Sequence, residues 1–153
     1  MSAREILNDE RISLELSVNG ETYSKQFSEK GFNSKIHALA RKGGVKTVVY
    51  ACILYYFLKS ETPPPRVKIA ILVSLGYFVA PIDLIIDMIP FLGLTDDIYV
   101  LSYSIYNTRV ILQDYMTPAI LKDALAATSR IFKNEPIENI KQIINNLHLY
   151  EPI

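Results

Sequence analysis

"VKTVVYACILYYFLKSETPPPRVKIAILVSLGYFVA", Val45 to Ala80, holds two apolar runs parted by a polar, proline-rich break. The first run reads as a helix from Val45 to about Lys59 that ends in "SETPPPR". The second starts near Pro64 or Pro65, because proline's fixed φ and missing N–H suit the first helical residue, and it continues to Pro81. Working outward, Asn33 or Ser34 caps a short helix through Lys42, which Gly43 and Gly44 stop. A further short helix begins at Pro81 and ends before Pro90. Thr95 or Asp96 caps a longer one to about Asp114. Thr117 and Pro118 read as the cap and first residue of a helix to about Phe132, and Glu135-Pro136 opens the last. There Ile137, Ile140, Ile144 and Leu147 form one apolar stripe. The fold expected is all-α, a compact bundle of short helices.

The N-terminal part reads differently. Ile12, Leu14, Leu16 and Val18 alternate with polar residues, Asn19-Gly20 follows, and Tyr23, Lys25 and Phe27 fall on alternate positions. Asn-Gly suits the positive φ angles of a tight hairpin turn, so a β-hairpin is expected as an appendage to the bundle. The chain accordingly divides into an N-terminal extension over 1–27, a helical domain over 28–133, and a C-terminal amphipathic helix over 134–153 that packs on it.

Half of the 153 residues are hydrophobic, enough for a proper core. Sixteen basic residues balance sixteen acidic ones, so the global charge bias that drives non-specific nucleic-acid binding is missing, and no nucleic-acid partner is expected. Cys52, the single cysteine, lies in an apolar run, which fits a reducing compartment and a small buried hydrophobe rather than a nucleophile. The opening "MSAREILNDERISLEL" is too charged for a signal peptide.

Twelve uncharged residues lie between Lys46 and Lys59 and fourteen between Lys68 and Asp83. The longer run covers about 21 Å as a helix, short of the roughly 30 Å of a hydrocarbon core. Three features nonetheless point toward a membrane: the nearly unbroken apolarity of Val67 to Ala80, the abundance of tyrosine, and a basic segment ahead of the apolar region. That segment carries Lys25, Lys30, Lys35, Arg41, Lys42 and Lys46 against Glu29 alone, with Phe27, Phe32, Ile36 and Leu39 among them. It is suited to an anionic membrane surface, or equally to a solvated helix face.

Four aspartates interrupt the apolar stretch "PIDLIIDMIPFLGLTDD". Asp83, third in a helix begun by Pro81, meets free N–H groups and the positive helix end; Asp96 and Asp97 gain the same at the next helix start. Asp87 lies four residues after Asp83, near the end of a short helix whose dipole disfavours an anion, so it needs backbone donors, a cation or a metal. On a helical wheel over 96–114, Arg109 is the only charge in a broad apolar arc, between Tyr99, Tyr103, Tyr106 and Val110 on one side and Ile98, Leu101, Ile105 and Leu112 on the other. It is the expected counter-charge for Asp83 or Asp87, with Arg66 and Lys68 as further candidates. The sharper alternative is a metal: Asp83, Asp87, Asp96 and Asp97 offer hard oxygen ligands for Mg²⁺, Mn²⁺ or Ca²⁺. His37 and His148 are too remote to suggest zinc, and no nucleophile elbow, P-loop or dinucleotide fingerprint occurs. No catalytic residue is assigned, and the reading leans away from an enzyme.

"PIDLIIDMIPFLGLTDD", with the upstream "LYYFLKSETPPPRVKIAILVSLGYFVA", resembles the signature of the YkvA-like family, a small helical domain of unknown function. Pro81, Asp83, Asp87, Pro90, Gly93, Asp96 and Asp97 occupy the family's motif positions, while Ile86 stands where a second proline is usual. The resemblance implies a membrane-associated helical protein, related to domains in the membrane part of some RING-type ubiquitin ligases, with no activity or cofactor attached. The function expected is therefore a membrane-associated helical module, adaptor or structural, whose aspartates organise its central turn. Its helices would group in a transmembrane hairpin or lie partly embedded, with a cytoplasmic face. Two alternatives stand beside it: a soluble cytosolic domain binding a protein partner or a second copy, and a divalent-metal enzyme acting on an anionic substrate.

Overall fold

The computed structural model describes residues 19–80 and 97–153, which form eight helices: α1 Gly20–Gln26, α2 Glu29–Arg41, α3 Val45–Lys59, α4 Pro65–Val79, α5 Asp97–Asn107, α6 Arg109–Tyr115, α7 Pro118–Ile131 and α8 Ile137–Asn145. The all-α bundle is as expected. The hairpin is not: no strand occurs among the described residues, and the stretch assigned to the turn and second strand is α1. Its other strand, Ile12 to Val18, lies outside the described residues.

The alternation that suggested a strand puts Lys25 on the same face as Tyr23 and Phe27. Helical spacing separates them, because residues four apart share a face. Tyr23 is fully buried, Phe27 packs against the ring of Phe32, and Lys25 reaches back to Glu21 at 3.2 Å in an exposed ion pair. Gly20 does not use its access to positive φ; among the described residues Gly43 is the glycine that does, at +76°, closing α2. The real anchor of α1 is Gly76 on α4. A Cβ built there would stand 1.7 Å from the Tyr23 carbonyl oxygen, so the backbones approach as only glycine permits. Tyr23 then meets Tyr77 edge to face, with ring centres 5.1 Å apart.

Helix α3 is the axis of the bundle and packs against α2, α4, α5, α7 and α8. Its apolar residues on every side, Val48 to Leu54 and Phe57, are therefore all buried. Burying a Leu, Ile or Phe side chain contributes roughly 1.5–3 kcal/mol, so Ile53, Leu54 and Phe57 rank among the costliest positions to truncate. Helices α4 and α5 run antiparallel. The hydroxyls of Ser74 and Ser104 bond across them at 2.5 Å, and the Val100 and Ala70 carbonyls accept within each helix. The C-terminal stripe is buried through Ile140, Ile144 and Leu147 against α3 and α7, whereas Ile137 is exposed.

Helix boundaries follow the expected chemistry with two shifts. Pro65 and Pro118 open α4 and α7, and Thr117 Oγ1 accepts from the Ile120 N–H at 3.3 Å. Helix α2 starts about a turn and a half earlier than expected, because Ser28 Oγ accepts from the Gly31 N–H at 2.9 Å. The long helix expected up to Asp114 is interrupted at Thr108, whose Oγ1 donates to the Ser104 carbonyl.

No helix among the described residues is long and apolar enough to cross a membrane. The fifteen residues of α3 and of α4 span about 22 Å each. The transmembrane hairpin expected from their apolarity is not formed by them: α3 is buried among the surrounding helices, and α4 turns Val67, Ile71, Leu75 and Phe78 into the same core.

Candidate functional site: a basic face and its cleft

Asp83, Asp87, Asp96, Pro81, Pro90 and Gly93 lie outside the described residues, and Asp97 is the first residue of α5. Among the described residues no three His, Cys, Asp or Glu groups gather as a metal site would require. Arg109 is half-buried at the start of α6, and its Nε is buried without a hydrogen-bond partner among the described residues. It stands beyond the C-terminal end of α5, a helix that Asp97 begins and whose eleven residues rise about 15 Å.

The described residues instead bring together a face that the sequence showed only in part. Ser28 caps α2, Glu29 occupies its first turn, and the Glu29 carboxylate accepts from Tyr55 Oη at 2.9 Å and from Lys59 Nζ. This clamp ties the start of α2 to the end of α3. The ammonium and phenol hold the Glu29 carboxyl below the usual carboxylate range. Phe32 stacks on Tyr55 with ring centres 4.5 Å apart, and Phe32 and Ile36 turn into the core. The next stripe of α2, Asn33, His37, Ala40 and Arg41, is left facing away from it.

That stripe forms one wall of a cleft of about 660 Å³. Cys52, Tyr55 and Tyr56 of α3 form its floor, and Ala127, Arg130 and Ile131 of α7 its far wall. An adjoining depression shares Asn33, His37 and Arg41 and adds Lys30 and Ser34. Among the described residues no carboxylate lines either. Lys30, Arg41 and Arg130 are exposed and make no ion pair among the described residues. His37 Nδ1 lies 2.7 Å from the Asn33 carbonyl, which can only accept, so Nδ1 carries the proton and Nε2 is the open position of the neutral ring.

The floor is dry. Burial pushes the Cys52 thiol up to about 12, against a smaller opposing effect of Thr128, which leaves it unionised and inert at neutral pH. Burial, then the Glu29 carboxylate, raises the Tyr55 phenol to about 12. Burial raises Tyr56 as well, with the Arg130 guanidinium close enough to pull the other way. Its phenols and thiol stay neutral below the cations along its walls, and none of them is an activated nucleophile. The sequence pointed to α2 through its run of basic residues. Arg130, Tyr55 and Tyr56 were missed because only the folding of α7 onto α3 brings them there.

Residues 67–103 match a family described as a protein of unknown function, DUF1232. That stretch overlaps the residues on which the resemblance to the YkvA-like family rests. Neither the curated proteins nor the solved structures give a match. From α4 into α5 the chain is thus similar to a small family of unknown function, and the cleft of α2, α3 and α7 lies outside the matched residues.

Proposed function

We propose that this chain is a helical adaptor module that docks on an anionic membrane surface from one side. The observation that carries the reading is the outer face of α2 and the start of α3, where Lys30, Arg41, Lys42 and Lys46 are exposed and outside any ion pair among the described residues. The apolar face of α2 cannot serve as an embedded face, because Phe32 and Ile36 are 4% and 2% exposed within the core. Contact is therefore electrostatic, worth about 1 kcal/mol for each cation brought to an anionic leaflet and weakened by salt.

Co-sedimentation of the full chain with vesicles tests it. Binding is expected to phosphatidylserine-containing vesicles at low ionic strength, with release by high salt and weakening by Lys42→Gln with Lys46→Gln. Equal partition onto neutral phosphatidylcholine, or none onto either, sinks the reading.

A second reading, a protein-interaction module, is favoured by Ile69, Val110 and Ile111, which are 59%, 71% and 41% exposed. Sedimentation equilibrium of wild type and Val110→Glu measures it for self-association: a concentration-dependent dimer lost in the variant supports it, and a monomer throughout removes it.

A further inference from the structure

We infer that the cleft between α2, α3 and α7 is a binding site for a phosphomonoester carried on an apolar tail. The inference deepens the docking reading and rests on it for a lipid as the source of the ligand. Three observations converge. Arg41 and Arg130 stand on opposite walls, from helices remote in sequence, and His37 lies on the wall of Arg41. Two guanidiniums facing across a gap suit the doubly charged, multi-oxygen end of a phosphomonoester, because each presents a planar fork of donors. Among the described residues no aspartate or glutamate lines the cleft to neutralise them; Glu29 is held by Tyr55 and Lys59, and Asp123 acts on Tyr56 from outside the lining.

Beneath the charges the bed is apolar. Phe32, Ile36 and Ala127 are buried in the core yet contribute to the lining, and Ile131 continues it along α7. Inorganic phosphate would leave that surface uncovered, and an uncharged hydrocarbon would leave the guanidiniums unused. The volume of about 660 Å³ lies within the roughly 300–1,000 Å³ of small-molecule sites and accommodates both parts of an amphiphile.

Titration calorimetry of the full chain with hexyl phosphate, inorganic phosphate and hexanol tests the site. Hexyl phosphate should bind saturably and at least about tenfold more tightly than either fragment, because head and tail are then held together. Arg41→Gln combined with Arg130→Gln removes exposed side chains and leaves the packing intact; it should weaken hexyl phosphate about tenfold or more. Ala40→Phe, which adds a ring to the wall, should block it independently of charge. Absence of saturable binding at millimolar hexyl phosphate, or undiminished binding in the double variant, overturns the inference.

Vesicles of matched charge identify the source. Preference for phosphatidate over phosphatidylserine assigns the ligand to a lipid headgroup, whereas hexyl phosphate binding without that preference assigns it to a soluble phosphomonoester. Lys42→Gln with Lys46→Gln lies outside the cleft and should weaken vesicle binding while hexyl phosphate affinity stays at the wild-type value. Failure of vesicle binding with hexyl phosphate still bound defeats the docking reading and leaves the cleft standing.

Discussion

At Gly76 a single methyl group decides whether α1 can lie on α4. Its Cβ would meet the Tyr23 carbonyl at 1.7 Å, a backbone atom that no rotamer change can move. Gly76→Ala should therefore dislodge α1 and lower the melting temperature by many degrees, at a cost of about 3 kcal/mol or more. Gly20→Ala meets only Val73 side-chain carbons, the nearest at 3.4 Å, and should change the melting temperature little. Equal effects from the two substitutions would refute the close-approach argument. Arg109 poses a different residue-scale question. Were it the partner of Asp83 or Asp87, Arg109→Met would cost several kcal/mol by stranding a buried carboxylate. Both aspartates lie outside the described residues, so the substitution decides the matter by chemical denaturation: a loss of several kcal/mol supports the pairing, and a change under about 1 kcal/mol removes it. The metal alternative for Asp83, Asp87, Asp96 and Asp97 has its own test. Mg²⁺ or Mn²⁺ should raise the melting temperature of wild type and not of Asp87→Asn if those carboxylates bind a cation, and an equal or absent shift rules it out.

At the scale of single elements, proline and hydroxyl punctuation carries the most information, because capping is decided within a few residues. The openings of α4 and α7 at Pro65 and Pro118 were legible for that reason, as was the glycine stop after α2. The misreading of α1 has an equally local origin: Tyr23, Lys25 and Phe27 satisfy a period of two, and only the distant Gly76 reveals that Tyr23 is clasped as part of a helix. The interruption at Thr108 escaped for a related reason, since a threonine hydroxyl bonding back to the Ser104 carbonyl leaves no pattern in the sequence. As a consequence Val110, placed by the wheel in the tyrosine stripe, is exposed. The clamp of α2 on α3 makes an element-scale prediction about pH. Because Lys59 and Tyr55 lower the Glu29 pKa on folding, the clamp's contribution is complete above the ordinary carboxyl value and is lost as pH falls through the lowered one. Glu29→Gln should abolish that part of the acid dependence of stability, measured by denaturant titration from pH 6 to pH 2.5.

For the whole molecule, the arrangement around α3 explains why apolarity alone misdirects. A helix surrounded by five others needs no polar face, and it reads in sequence like a membrane segment although about 22 Å long. The bundle was legible in the sequence, and the basic half of the cleft with it. The half supplied by α7 was not, because contacts between distant helices leave no local trace.

Burial of Cys52 at the floor of that cleft, 2% exposed and the chain's single thiol, provides the molecule with an internal clock. At that exposure a bulky aromatic disulfide reagent reaches the sulfur only when the floor of the cleft opens locally, so its modification rate in native buffer reads out that opening equilibrium. Compared with the rate in denaturant, it yields a protection factor for that opening rather than for global unfolding. Hexyl phosphate seated above the sulfur should lengthen that time in proportion to its occupancy.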